Sequence, residues 1–300
     1  MHASTPAVTQ RVRAAATTEA KVAALRDAYR GQRCVIVTCG PSLSEITPAQ
    51  LNAALDGVLT IAVKQAVHVV GRQADLLCFN SYNVRRFDLD NRDTLRVYAP
   101  EPSGLMVQHN RYDLALPMAS HEADLAQSLA GTRDFARYEL DRTLARPWGP
   151  GIVHELALYL AVHMGVTEVF TVGWDIAAGS TANVHFDDQT AEAAFFSAGR
   201  DRRPTLAGVR GRMPPVAKRV LRTARSVAAH HRGQPYNRVT MLPGEGAIVA
   251  RALPATRDWL ASHGADLRIV TGAAGAASAG DVATTPTPAF LSQLDRAATA

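Results

Sequence analysis

Cysteine, long apolar runs and cofactor-loop signatures are scarce in this chain, and each shortage removes a class of protein. Three cysteines, Cys34, Cys39 and Cys78, stand among 300 residues, all in apolar strand-like segments and without a C-x-x-C pair. This argues against a disulfide framework or a zinc site, and reduced core thiols are expected. No stretch reaches the about 18 uninterrupted apolar residues that a spanning helix needs. The first residues, MHASTPAVTQRVRAAATTEAK, lack the compact apolar block of a secretory signal, so the expected address is the cytoplasm. Neither G-x-G-x-x-G nor G-x-x-x-x-G-K-[ST] occurs, which weakens the dinucleotide and P-loop readings. No Ser/His/Asp nucleophile signature, internal repeat or heptad is visible.

What is present describes a globular chain. A hydrophobic fraction of 47%, a charged fraction of 20% and a mean hydropathy of -0.05 leave enough apolar mass for a sizeable core and exclude disorder throughout. The net charge of +5 is unevenly spread. Between Arg200 and Arg232 stand ten basic residues (Arg200, Arg202, Arg203, Arg210, Arg212, Lys218, Arg219, Arg222, Arg225, Arg232) against one acid, Asp201. That segment alone exceeds the net charge of the chain and suits an anionic partner: nucleic acid, an acidic membrane surface or a phosphorylated small molecule.

Residues 1–20 are rich in Ala and Thr and the tail 272–300 in Gly, Ala, Ser, Thr and Pro, so both ends are expected to be flexible around a folded body at 21–271. Within the body, strand-like runs at 34–39, 58–63, 75–79, 95–98, 168–172 and 267–270 alternate with helical patterns at 44–55, 65–70, 152–164 and 256–263. The alternation predicts an α/β fold with a Rossmann-like, doubly wound, mostly parallel sheet. Ligands of such sheets bind on the loops at the carboxyl ends of the strands.

Those loops hold unusual residues. After the first strand, Gly40 permits close backbone approach, Pro41 fixes the turn, and Ser42 or Ser44 suits a helix cap; phosphate binding and a plain capped turn are evenly matched. Lys64 ends the second strand, either as a charge for a phosphate or carboxylate or as a solvated turn lysine. Asn80 ends the third, able to read a base or sugar or to form an Asx-turn. Trp148-Gly149-Pro150-Gly151 opens the apolar helix at 152–164, and Gly173-Trp174-Asp175 closes the strand after it. Asp175 suits a sugar hydroxyl or a turn cap.

Acid–base candidates are two. His185, beside Asp187 and Asp188, has the neighbouring negative charge that raises basicity; Glu245, in Pro243-Gly244-Glu245-Gly246, offers a carboxylate before the last helix of the body. His154 and His163 sit on the apolar helix and read as core or edge residues. Asp88-Leu89-Asp90 fits a D-x-D metal motif, but that spacing is common by chance, and no metal is assigned.

The run CVIVTCGPSLSEI, then IAVKQ, LLCFN, GPGIVHELALYLAVHMGVTEVFTVGWDI and VHFDD, resembles the bacterial sialyltransferases of glycosyltransferase family 42 and a broader group of GPSL-motif transferases. The likeness covers about residues 33–188 and is most specific at Gly173-Trp174-Asp175. It implies a metal-independent transferase with a mobile lid, here about 176–240 and carrying the basic segment, that uses a cytidine monophosphate sugar. Carried over residue by residue, it implies donor contacts at Gly40, Pro41, Ser42, Asn80, Pro150, Gly151 and Asp175. Cys39 and Lys64 stand where the family has asparagines, and Ile176-Ala177-Ala178 stands where its lid tyrosines would be, so Lys64 and the lid arginines are expected to supply the phosphate's counter-charge.

The expectation is a cytoplasmic glycosyltransferase with a CMP-linked acidic sugar, such as a sialic or Kdo-like acid, as donor and a glycan as acceptor. No further cofactor is expected, and peripheral contact with the inner face of an anionic membrane stays open, ahead of nucleic acid. Two alternatives remain. One is Mg²⁺-dependent pyrophosphoryl or nucleotide transfer, since the GPSL-motif group also includes a pterin pyrophosphokinase; the other is a non-catalytic anion-binding module.

Overall fold

The computed structural model describes residues 5–80, 93–100, 111–119, 134–147, 151–175, 245–272 and 282–298, with backbone alone at 245–248 and 295–298. Two helices, α1 (Thr5–Ala14) and α2 (Thr18–Leu25), precede β1 (Arg33–Val37). A 3-10 turn (Pro41–Glu45) and α3 (Pro48–Ala54) lead to β2 (Leu59–Val63); a second 3-10 turn (Lys64–Ala66) and α4 (Val67–Val70) lead towards β3 (Leu76–Asn80). Then come β4 (Leu95–Ala99), β5 (Leu114–Ala115), a π-helical turn (Val153–Ala157) that continues as α5 (Leu158–His163), and β6 (Glu168–Val172). The chain closes with α6 (Glu245–Ser262), β7 (Asp266–Thr271), β8 (Ala283–Pro286) and α7 (Thr287–Ala298).

The strands form one eight-stranded sheet in the order β5-β4-β3-β2-β1-β6-β7-β8, with every neighbouring pair parallel. β2 and β3 are buried at every position, as expected of strands covered on both faces. Alternation along each strand divides the core in two. Cys34, Ile36, Ile61, Leu76 and Cys78 pack with α1, α2, α5 and α6 on one face. Val35, Val37, Ala62, Leu77 and Phe79 pack with α3, α4 and α7 on the other. The three cysteines are free and buried. The doubly wound, Rossmann-like fold read from the sequence is the fold observed, and the sheet is parallel throughout.

Both ends differ from the flexible segments expected. In α1, Val8 and Val12, one turn apart, are buried in the core, and the Arg13 guanidinium bonds the Asp113 carboxylate at 2.8 Å. β8 pairs with β7 as an edge strand, and α7 buries Phe290 and Leu294, again one turn apart. Two apolar anchors at i, i+4 in an otherwise polar, small-residue helix are enough to dock it, and composition averages hide them.

Element bounds shift for local reasons. The helix expected at 44–55 is a 3-10 turn and then α3, because Thr47 and Gln50 form a capping box and Pro48 occupies the first turn. α6 begins at Glu245 rather than 256 and runs through Pro254. The basic segment and the lid expected at 176–240 lie outside the described residues. No helix among the described residues is long and apolar enough to cross a membrane.

Candidate functional site at the carboxyl edge

The order of the strands puts a switch point between β1 and β6: successive strands run outward from β1 on one side, and β6 begins the run on the other. Ligands of open parallel sheets lie in the crevice outside the carboxyl ends at such a point. Here the two strands stay bonded beyond the sheet, with the Thr38 N–H donating to the Val172 carbonyl at 2.8 Å and the Gly40 N–H to the Gly173 carbonyl at 2.7 Å. A Cβ on Gly40 would lie 2.2 Å from the Gly173 oxygen and 2.4 Å from Asp175 Oδ2, so glycine alone fits. Gly173 has φ +70, and a Cβ there would meet the Thr38 oxygen at 2.9 Å.

This contact brings Asp175 onto the Gly-Pro-Ser turn. Pro41 opens the 3-10 turn, and the Ser42 N–H donates to Asp175 Oδ2 at 2.7 Å. The backbone donor that the sequence reading offered to a phosphate is thus held by the chain's own carboxylate. Asp175 itself is exposed. The Ser44 hydroxyl donates to the Pro41 carbonyl at 2.7 Å and tightens the turn.

Beside β1, the Cys39 thiol donates to the Val63 carbonyl at 3.1 Å and ties the ends of β1 and β2. Lys64, half-buried at the end of β2, holds φ 51, a left-handed conformation that costs a non-glycine residue about 1 kcal/mol or more. Gln65 follows, buried. At the end of β3, Asn80 and Glu155 are both buried, and Asn80 Nδ2 donates to Glu155 Oε2 at 3.1 Å. Glu155 lies on the π-helical turn that begins just after Gly151, and such turns concentrate at functional sites.

The same turn carries His154, packed against Trp174 with ring centroids 5.1 Å apart. The Thr256 hydroxyl donates to the Ala252 carbonyl, so it accepts from His154 Nε2–H at 3.3 Å, which sets the neutral tautomer. Burial pushes the His154 imidazole down to about 4, so it is a structural histidine and a poor base near neutrality.

Gly40, Pro41, Ser42, Lys64, Asn80, Gly151 and Asp175 therefore stand at the carboxyl ends of β1, β2, β3 and β6 or at the entry to α5. Glu245 opens α6, whose far end leads into β7, so its backbone lies on the carboxyl side; its side chain lies outside the described residues, as do His185, Pro150 and the Asp88-Leu89-Asp90 motif. Among the described residues, no group of three His, Cys, Asp or Glu could hold a metal ion. Glu155 and Gln65 were not singled out from the sequence. Glu155 carried a usable signal, since a carboxylate in a helix apolar all round must be paired to be tolerated.

By its fold, the chain is a Rossmann-like α/β protein whose strand order reverses between β1 and β6. No protein-family model, curated protein or solved structure matches it.

Proposed function

We propose that this chain is a glycosyltransferase that moves a sugar, with a CMP-linked acidic sugar of the sialic or Kdo-like type as donor, to a glycan acceptor. The observation that supports this is convergence. All the segments of the family resemblance except VHFDD at 184–188, which lies outside the described residues, are far apart in sequence yet end on the adjacent strands β3, β2, β1 and β6 at one edge of the sheet. The nucleotide lies across that edge. Because the Ser42 N–H is already bonded to Asp175, the phosphate is met by the Ser42 hydroxyl and by Lys64, and the exposed Asp175 carboxylate accepts from a ribose hydroxyl. Gly40 and Pro41 shape the turn beneath, Gly151 lines the entry to α5 with Pro150 its neighbour in sequence, and Asn80, held by Glu155, faces the base.

In the reaction, the acceptor hydroxyl gives its proton to His185, or to Glu245 as second candidate, as its oxygen bonds the anomeric carbon. The bond from that carbon to the phosphate oxygen breaks, and CMP leaves with the electron pair, its charge met by Lys64 and the basic segment. A thermal-shift panel tests the reading. CMP and CDP are expected to stabilise the protein, by about 2.7 kcal/mol at 100 times Kd, and UDP, GDP and NAD are not. Stabilisation without a cytidine preference overturns the donor assignment. Transfer activity that disappears with a chelator favours Mg²⁺-dependent pyrophosphoryl transfer instead.

A further inference from the structure

Gln65 is 2% exposed, and its Oε1 is buried with no hydrogen-bond partner among the described residues. Buried polar atoms are almost always paired, so an orphan calls for an explanation. This one lies in the loop that leaves β2, a neighbour of β1, at the carboxyl edge. Its predecessor, Lys64, holds a left-handed backbone at φ 51. Two costly features at consecutive residues persist when the site is organised around something else.

We propose that Gln65 is a ligand contact whose amide pairs with the hydrogen-bonding edge of a nucleobase; this rests on the nucleotide reading above. An orphaned carbonyl needs a donor, and in a nucleotide joined to a sugar the donors are the amino group of the base and the hydroxyls of ribose and sugar; CMP, which carries no transferred sugar, leaves the base and the ribose. The ribose is a poor candidate on position. Asp175 follows β6, which lies two strand spacings, about 10 Å, from β2. With the ribose hydroxyls held at Asp175, a nucleotide laid across β1 brings its base to the ends of β2 and β3, which carry Gln65 and Asn80. The terminal torsion of glutamine is broad and two-fold, so the amide turns to meet the base at little cost, and an atom already stripped of water gives up none on pairing.

Calorimetric titration of the full chain with CMP and with ribose 5-phosphate, which lacks the base, tests this. The wild type is expected to bind CMP more tightly than ribose 5-phosphate. Gln65→Leu is expected to weaken CMP at least ~10-fold, to leave ribose 5-phosphate within ~2-fold, and to raise the melting temperature of the free protein because the orphan is gone. If Gln65→Leu does not fold, Gln65→Met serves the same comparison. Wild-type CMP affinity in the variant overturns the contact while leaving the nucleotide reading intact. A wild type that binds no nucleotide overturns the reading, and the contact with it.

Discussion

A methyl group on Gly40 has nowhere to go: the Gly173 oxygen and the Asp175 carboxylate already occupy its place. Gly40→Ala must separate the turns after β1 and β6, and overpacking of this kind costs about 1–3 kcal/mol. Urea unfolding should show that loss, and an unchanged midpoint would mean the two turns separate freely. Glu155→Ala makes a different demand, since it removes the acceptor facing a buried Asn80 N–H. A loss of about 1–3 kcal/mol is expected, with Glu155→Gln recovering part of it; equal stability of Glu155→Ala and wild type would show that the pair does not hold the site. Gly40, Ser42 and Asp175 each stood out in the sequence because glycine, serine and an acid at a strand end have known uses, although the helix cap expected of Ser42 or Ser44 is made by Thr47, which starts its own capping box. Their contact was not legible, because Ser42 and Asp175 are 133 residues apart and only the β1–β6 pairing brings them together.

Elements were legible where the apolar signal was continuous. β6 was read to the residue, and β1, β2, β3, β4 and β7 within two residues at either end, because buried parallel strands are unbroken apolar runs. Helices that dock by two anchors escaped. α7 is the plain case: a tail rich in small and polar residues holds Phe290 and Leu294 at helical spacing, and the Phe290 ring packs 5.5 Å from Phe170 of β6. Phe290→Ala is therefore expected to cost about 3–5 kcal/mol, a value foreign to a flexible tail. Unfolding of the full-length variant measures it, and a change below about 0.5 kcal/mol would mean that α7 contributes nothing to the core.

Across the whole molecule, a half-buried carboxyl and a buried imidazole at opposite edges of the sheet set opposing responses to pH. At the amino edge, the Asp75 carboxyl before β3 accepts from the Thr60 N–H at 2.7 Å, yet burial outweighs that bond and pushes it up from 3.8 to about 6. At the carboxyl edge, burial holds His154 down at about 4 from an ordinary 6.5. For Asp75 the folded state binds the proton more tightly than the unfolded one, so its stability is complete below pH 3.8 and is lost as pH rises through 6. For His154 the folded state binds it less tightly, so stability is complete above pH 6.5 and is lost as pH falls through 4. At ~1.4 kcal/mol per pH unit, each change is of the order of 3 kcal/mol, and between pH 4 and 6.5 the two oppose one another. Asp75→Asn keeps an acceptor for Thr60 but not the titration, so its stability should climb by about 3 kcal/mol relative to wild type from pH 4 to 6.5. His154→Gln keeps an N–H for Thr256 and should fall by a similar amount over the same range. Urea midpoints of the three proteins at half-unit steps decide it: profiles that run parallel would mean neither group is buried in the form that folds, and the packing assigned to both edges of the sheet would have to be redrawn.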